Sequence, residues 1–306
     1  MTMRPAPLIL ILAASPAAAH VEFPVAPAAL MAEWRPDPAA ALALAVCLWA
    51  YGRGLVRLWR RAGYGRGVSA LESLAFAAGI AALALAFLSP LDAATGTLLT
   101  AHMIQHLLLI AVAPLLILLG RPDAVLPFAF PEAARRAVSR SPWLRPAGSL
   151  RRLARPLPAA LLHALALWLW HAPGPFEAAL RSNLLHDLEH ASFLATALLF
   201  WQSVIFAGRS PSARIAAIVA TLVTLIQSGF LGALITLAGR PLYQAYRFSD
   251  VWGLTPAEDQ QLAGLVMWIP MGAIYLVTGL VLAAMLIGAE QPGPPQPAIQ
   301  RGHPDP

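Results

Sequence analysis

The feature that most constrains this chain is a series of long apolar runs. About seven of them, roughly residues 38–58, 69–88, 97–119, 157–173, 186–207, 213–237 and 262–287, approach or exceed the length a helix needs to cross a bilayer, about 20 residues. Composition agrees. Only 12% of the 306 residues are charged, about half the share in a soluble domain, while 58% are hydrophobic. The expected fold is an all-α membrane protein of about seven transmembrane helices. Pro158 falls near the start of a run, where proline is tolerated. Pro114 and Pro270 lie inside runs, where a helix bundle absorbs the kink. The lack of a convincing internal repeat weighs against inverted-repeat transporter folds.

Residues 1–19 read as a signal peptide. Arg4 supplies a positive start, Leu8 to Leu12 a short apolar core, and Ala17-Ala18-Ala19 a small-residue cleavage site. Residues 20–290 then form the transmembrane domain. The proline-rich residues 291–306 form a disordered tail. Cleavage after Ala19 would leave His20 at the amino terminus, where a free amine beside an imidazole can chelate copper.

The net charge of +6 does not mark a nucleic-acid binder, because the arginines sit in short loops between apolar runs. Their asymmetry sets the orientation. Arg53, Arg57, Arg60, Arg61 and Arg66 follow the first run. Eight arginines from Arg121 to Arg155 follow the third, and Arg209 and Arg214 follow the fifth. The opposite side holds only Arg35, Arg181, Arg240 and Arg247. The basic loops and the tail are therefore expected in the cytoplasm of a bacterial inner-membrane protein, with the mature amino terminus in the periplasm.

This orientation collects five of the eight histidines at one surface, on three helices. His102 and His106 lie near the outer end of the third run, His171 ends the fourth, and His186 and His190 open the fifth. Each i,i+4 pair places two rings on one helix face, one turn apart, where both can ligate one ion. Imidazole suits copper, zinc, iron and nickel, and thioethers shift the choice toward Cu(I). Met103 sits inside the first pair, with Met267 and Met271 on the seventh run, so copper is the expected metal. The bland alternative is a set of interfacial histidines hydrogen-bonded to neighbours. Asp92, Glu177, Asp187, Glu189, Glu258 and Asp259 lie on or near the same face.

His163 lies about 12 Å deeper than His171 at 1.5 Å per residue, and is expected to be a neutral histidine bonded between helices. Thr255 can cap the seventh helix, with Pro256 in its first turn and Glu258 and Asp259 complementing its dipole. The polar run Glu258 to Gln261 could instead face the histidines. The single Cys47 supplies neither a disulfide nor a thiolate cluster.

Several stretches resemble the multi-span cytochrome c oxidase assembly factors of the CtaG type, associated with caa-type oxidases. They are Ser89-Pro90-Leu91-Asp92, Ala101-His102-Met103-Ile104-Gln105-His106, Leu167-Trp168-Leu169-Trp170-His171-Ala172-Pro173, and His186-Asp187-Leu188-Glu189-His190 with Phe200-Trp201. Leu231-Gly232-Ala233-Leu234-Ile235-Thr236 and Gly253 through Met267-Trp268-Ile269-Pro270 complete the match, which covers about residues 30–287. Gln202 departs from the pattern, where the family often has a second Trp.

The resemblance implies a role in maturing a haem–copper oxidase, by delivering copper at the periplasmic face. The matched positions give a candidate metal set of His102, His106, His171, His186, His190, Met103, Asp92, Glu258 and Asp259. No catalytic role is expected. The partners would be cytochrome c oxidase subunits, membrane lipid and a periplasmic copper chaperone. A haem-binding redox protein and a metal transporter are the competing classes. A hydrolase lacks a nucleophile motif.

Overall fold

The computed structural model describes residues 24–140, 152–207 and 210–289. The expected signal peptide and tail lie outside them. Among the described residues there is no strand, and seven helices dominate: α1 (Pro38–Ala62), α2 (Ala70–Leu88), α3 (Leu99–Leu119), α4 (Pro156–His171), α5 (Asn183–Ile205), α6 (Pro211–Leu237) and α7 (Pro256–Ala289). Five of them, α1, α2, α3, α6 and α7, are long and apolar enough to cross a membrane. Helix α4 has only 16 residues, and α5 carries Asp187 and Glu189 among its histidines. Length and composition thus support five of the seven expected spans.

Local chemistry starts these helices where they start. The Asp37 carboxylate accepts from the Ala39 and Ala40 amides, and Pro38 occupies the first turn of α1. Ser69 and Glu72 form a reciprocal capping box on α2. Thr255 and Glu258 do the same on α7, as expected for the first of them. Large apolar side chains such as Leu42, Trp49, Leu161, Ile226 and Leu280 face outward. The interior holds histidines, threonines, Gln105 and Glu189. This distribution is costly in water and suits a hydrocarbon surround.

Helix α3 is reshaped by Pro114. A proline has no amide hydrogen, and its ring collides with the carbonyl four residues back, here Ile110. The helix widens into a π-helical turn at Leu108–Val112. The Trp201 indole of α5 donates to the displaced Ile110 carbonyl at 2.9 Å. One kink thereby ties α5 to α3, about one turn past His106 on α3 and about three turns past His190 on α5.

Helices α6 and α7 approach through glycine. A Cβ on Gly232 would press the Gly264 carbonyl, and one on Gly264 would strike Thr236. At one end of the bundle Arg57 donates to the Phe128 and Ala129 carbonyls, and Arg53 to Ala129. The basic end of α1 and the segment after α3 therefore share a side. At the other end the loop 238–255 folds over the histidine helices. Gln260 holds it by accepting from the Leu242 amide at 2.6 Å and donating to the Ile235 and Arg240 carbonyls.

Candidate metal centre

The first turns of α3, the last of α4 and the first of α5 meet beneath the loop 238–255. The i,i+4 pairs lie one turn apart on their helix faces as helical geometry requires, with ring centres 4.3 Å apart for His102 and His106 and 4.1 Å for His186 and His190. Across helices, His102 lies 5.6 Å from His186 and 6.2 Å from His190, and His106 lies 5.6 Å from His190 and 5.4 Å from His171. The convergence expected of α3 and α5 is therefore present, with α4 joining through His171.

The burial differs from expectation. The sequence collects the histidines at one membrane surface, but His102, His106, His171 and His190 are buried and only His186 is partly exposed. The reason is the loop 238–255 with the short helix Pro173–Arg181, whose Phe176 packs within 5.2 Å of the His102 ring.

Glu189 is the residue that sequence reasoning left out of the ligand set. It is buried on the same face of α5 as His186 and His190. His102, His186, Glu189 and His190 each offer a ligand atom, and these atoms all lie within 4.8 Å of one another. Two nitrogens on a tetrahedral ion stand about 3.3 Å apart for bonds of about 2.0–2.1 Å, so small side-chain movements would close the set. Glu189 Oε1 is also 3.6 Å from His106 Nε2, beyond hydrogen-bond length. Among the described residues, neither Glu189 oxygen and neither His106 ring nitrogen has a hydrogen-bond partner. A buried carboxylate and imidazole left this way cost stability unless something else satisfies them. A cation bound by these atoms would do so. The spacing His186-x-x-Glu189-His190 was visible in the chain, and the i,i+3 and i,i+1 steps to Glu189 could have flagged it.

Neighbouring groups orient the rings. His171 Nδ1 lies 2.8 Å from the Leu167 carbonyl, which can only accept, so the proton sits on Nδ1 and the lone pair on Nε2. His171 Nε2 is buried without a hydrogen-bond partner among the described residues. Tyr246 Oη lies 2.9 Å from His102 Nδ1 and donates to the Thr95 carbonyl at 3.0 Å. Burial first, then the Glu189 and Asp259 carboxylates, push the Tyr246 phenol well above its ordinary pKa, so it keeps that proton. Tyr243 donates to the His171 carbonyl at 2.8 Å. Neither tyrosine belonged to any sequence motif pointing at the site.

The remaining expected ligands lie apart from this set. Asp259 caps α3 from α7, accepting from the Leu99 and Thr100 amides at 2.8 and 3.0 Å and from the Thr100 hydroxyl. Glu258 is exposed and engaged in the Thr255 capping box. Asp92 accepts from Gln105 Nε2 at 2.8 Å, a bond that steadies α3 one residue before His106. Met103 belongs to the same buried apolar cluster as Met267, Met271, Phe193 and Trp201. His163 bridges helices, with Nδ1 3.1 Å from Thr196 Oγ1 and Nε2 3.4 Å from the Tyr275 hydroxyl.

Five imidazoles and a carboxylate, with second partners holding two rings in a ligating tautomer, fit a first-row transition ion. Together the fold and site define a helical bundle with membrane-length apolar helices and an imidazole–carboxylate cluster at one end. The chain belongs to the cytochrome c oxidase caa3 assembly factor family, whose model matches residues 49–288. No curated protein and no solved structure matches it.

Proposed function

We propose that this assembly factor is non-enzymatic, holds copper at the imidazole cluster and passes it to a subunit of the oxidase it helps to build. The observation that carries the reading is the convergence of His102, His106, His171, His186 and His190 around a buried, hydrogen-bond-deficient Glu189. Such a set is better explained by an ion than by packing, because its polar atoms are withdrawn from water without full replacement. Imidazole is a good copper ligand, and the family's oxidase role supplies the recipient. On this reading all seven helices span the inner membrane. Arginine asymmetry puts the cluster at the periplasmic face and the tail in the cytoplasm, a signal peptide precedes the mature chain, and a periplasmic copper chaperone delivers the metal.

A haem would need a flat apolar slot between two facing rings. The cluster instead packs its rings 4.1–6.2 Å apart with Glu189 among them. Metal analysis of the purified full chain, with and without His106→Ala and His190→Ala, tests the proposal. Copper should copurify with the parent protein and be lost from the double variant. A parent protein that retains no copper after loading would overturn it.

A further inference from the structure

Six donors exceed the four that a tetrahedral ion takes. They also divide. His102, His186 and His190 share the 4.8 Å set with Glu189, whereas His106 and His171 pair with each other at 5.4 Å between ring centres. His106 adjoins Glu189 Oε1 at 3.6 Å, and His171 turns a buried Nε2 away from its bond to the Leu167 carbonyl. Two rings on one tetrahedral ion stand about 5 Å apart at their centres, given metal–nitrogen bonds of about 2.0–2.1 Å. The His106–His171 separation and the 5.6 Å between His102 and His186 are close to that value, as is the 5.6 Å between His106 and His190, so the 4.8 Å ligand-atom set rather than ring spacing draws the division. Glu189 has two oxygens; it belongs by distance to the first group, and its Oε1 lies 3.6 Å from His106 Nε2 of the second.

We infer that the cluster is a two-ion centre in which the Glu189 carboxylate is the shared ligand, one ion held with His102, His186 and His190 and the other with His106 and His171. The inference rests on the metal-holding reading above and goes beyond it in number and division of labour. The first ion has four protein ligands and is closed. The second has three and keeps an open position, the arrangement suited to exchange. The second ion is therefore the one handed on, and the first organises Glu189 to receive it.

The test uses the full chain purified in detergent, stripped with chelator and loaded with Zn²⁺ or Cu²⁺ alone. Zinc should bind at two ions per chain, and His171→Leu should bind one. With Cu²⁺ the parent protein should show a spin signal well below its total copper, because ions sharing a carboxylate couple, while His171→Leu should show the full signal of an isolated ion. Glu189→Gln, which preserves shape, should uncouple or release the pair if His171→Leu fails to fold. Saturation at one ion in the parent protein would overturn the two-ion centre and leave metal holding intact. Two ions with an undiminished spin signal would overturn the shared ligand. No retained ion would overturn both readings.

Discussion

The Tyr246 hydroxyl stands 2.9 Å from Nδ1 of His102, and its only proton is directed to the Thr95 carbonyl at 3.0 Å. The carbonyl cannot donate, so the arrangement that satisfies all three groups makes His102 the donor at Nδ1 and leaves its lone pair on Nε2. A loop residue 144 positions away thereby sets the tautomer of a candidate ligand. Tyr246→Phe should weaken metal binding about 10–100-fold, the usual effect of losing a partner that orients a ligating histidine. The fold should lose only about 1 kcal/mol, the worth of one hydrogen bond. Isothermal titration with Zn²⁺ alongside thermal melting separates the two. Equal affinity in the variant would show that Tyr246 does not position His102.

His106 and Glu189 place an opposing demand on stability. Replacing His106 by Leu removes two buried nitrogens without hydrogen-bond partners among the described residues and fills a similar volume. The metal-free protein should be as stable as the parent or more so, by up to about 1–2 kcal/mol, while metal binding falls. A large loss of stability in the metal-free variant would mean that His106 serves packing.

In cells, His106→Ala with His190→Ala should lower terminal oxidase activity at unchanged protein level. Added copper should restore part of it, since a higher free concentration offsets a weakened site by mass action. Both side chains are buried, so the protein level must be measured rather than assumed. Full oxidase activity in copper-poor medium would exclude the delivery role.

Asp92 lies in the connection between α2 and α3. Burial raises its pKa from 3.8 to about 6, the Gln105 hydrogen bond pulls it back in part, and the Asp37 carboxylate adds a smaller push. A raised pKa means that the fold favours the protonated acid. Stability from this group is fully present below pH 3.8 and is lost as pH rises through about 6. Asp92→Asn keeps an oxygen for Gln105 and should flatten that part of the stability curve. Melting temperatures should agree at low pH and favour the variant at neutral pH. Parallel curves would show that Asp92 titrates normally.

Reporter fusions ending at Ser141 and at Tyr246 should report cytoplasm and periplasm respectively, as the arginine distribution requires. The opposite pattern would move the histidine cluster to the cytoplasmic side and exclude exchange with a periplasmic partner.

The chain by itself determined the helices and the pairing of histidines along them. Apolar runs, Thr255 with Pro256, and the spacing of His102 with His106 and His186 with His190 are local, and helical periodicity converts them directly into geometry. Periodicity does not say which faces meet. Asp259 and Glu258 looked like equal candidates beside a polar run, yet contact with α3 makes one a cap on Leu99 and Thr100 and leaves the other on its own helix end. The place of Glu189 depends on how α5 packs, and one contact that sets this joins the Trp201 indole to the Ile110 carbonyl in the π-helical turn of α3. Tyr243 and Tyr246 arrive from a loop whose path depends on Gln260. These contacts join residues far apart in sequence, and only the packing of helix on helix, which no single segment encodes, brings them within hydrogen-bond reach.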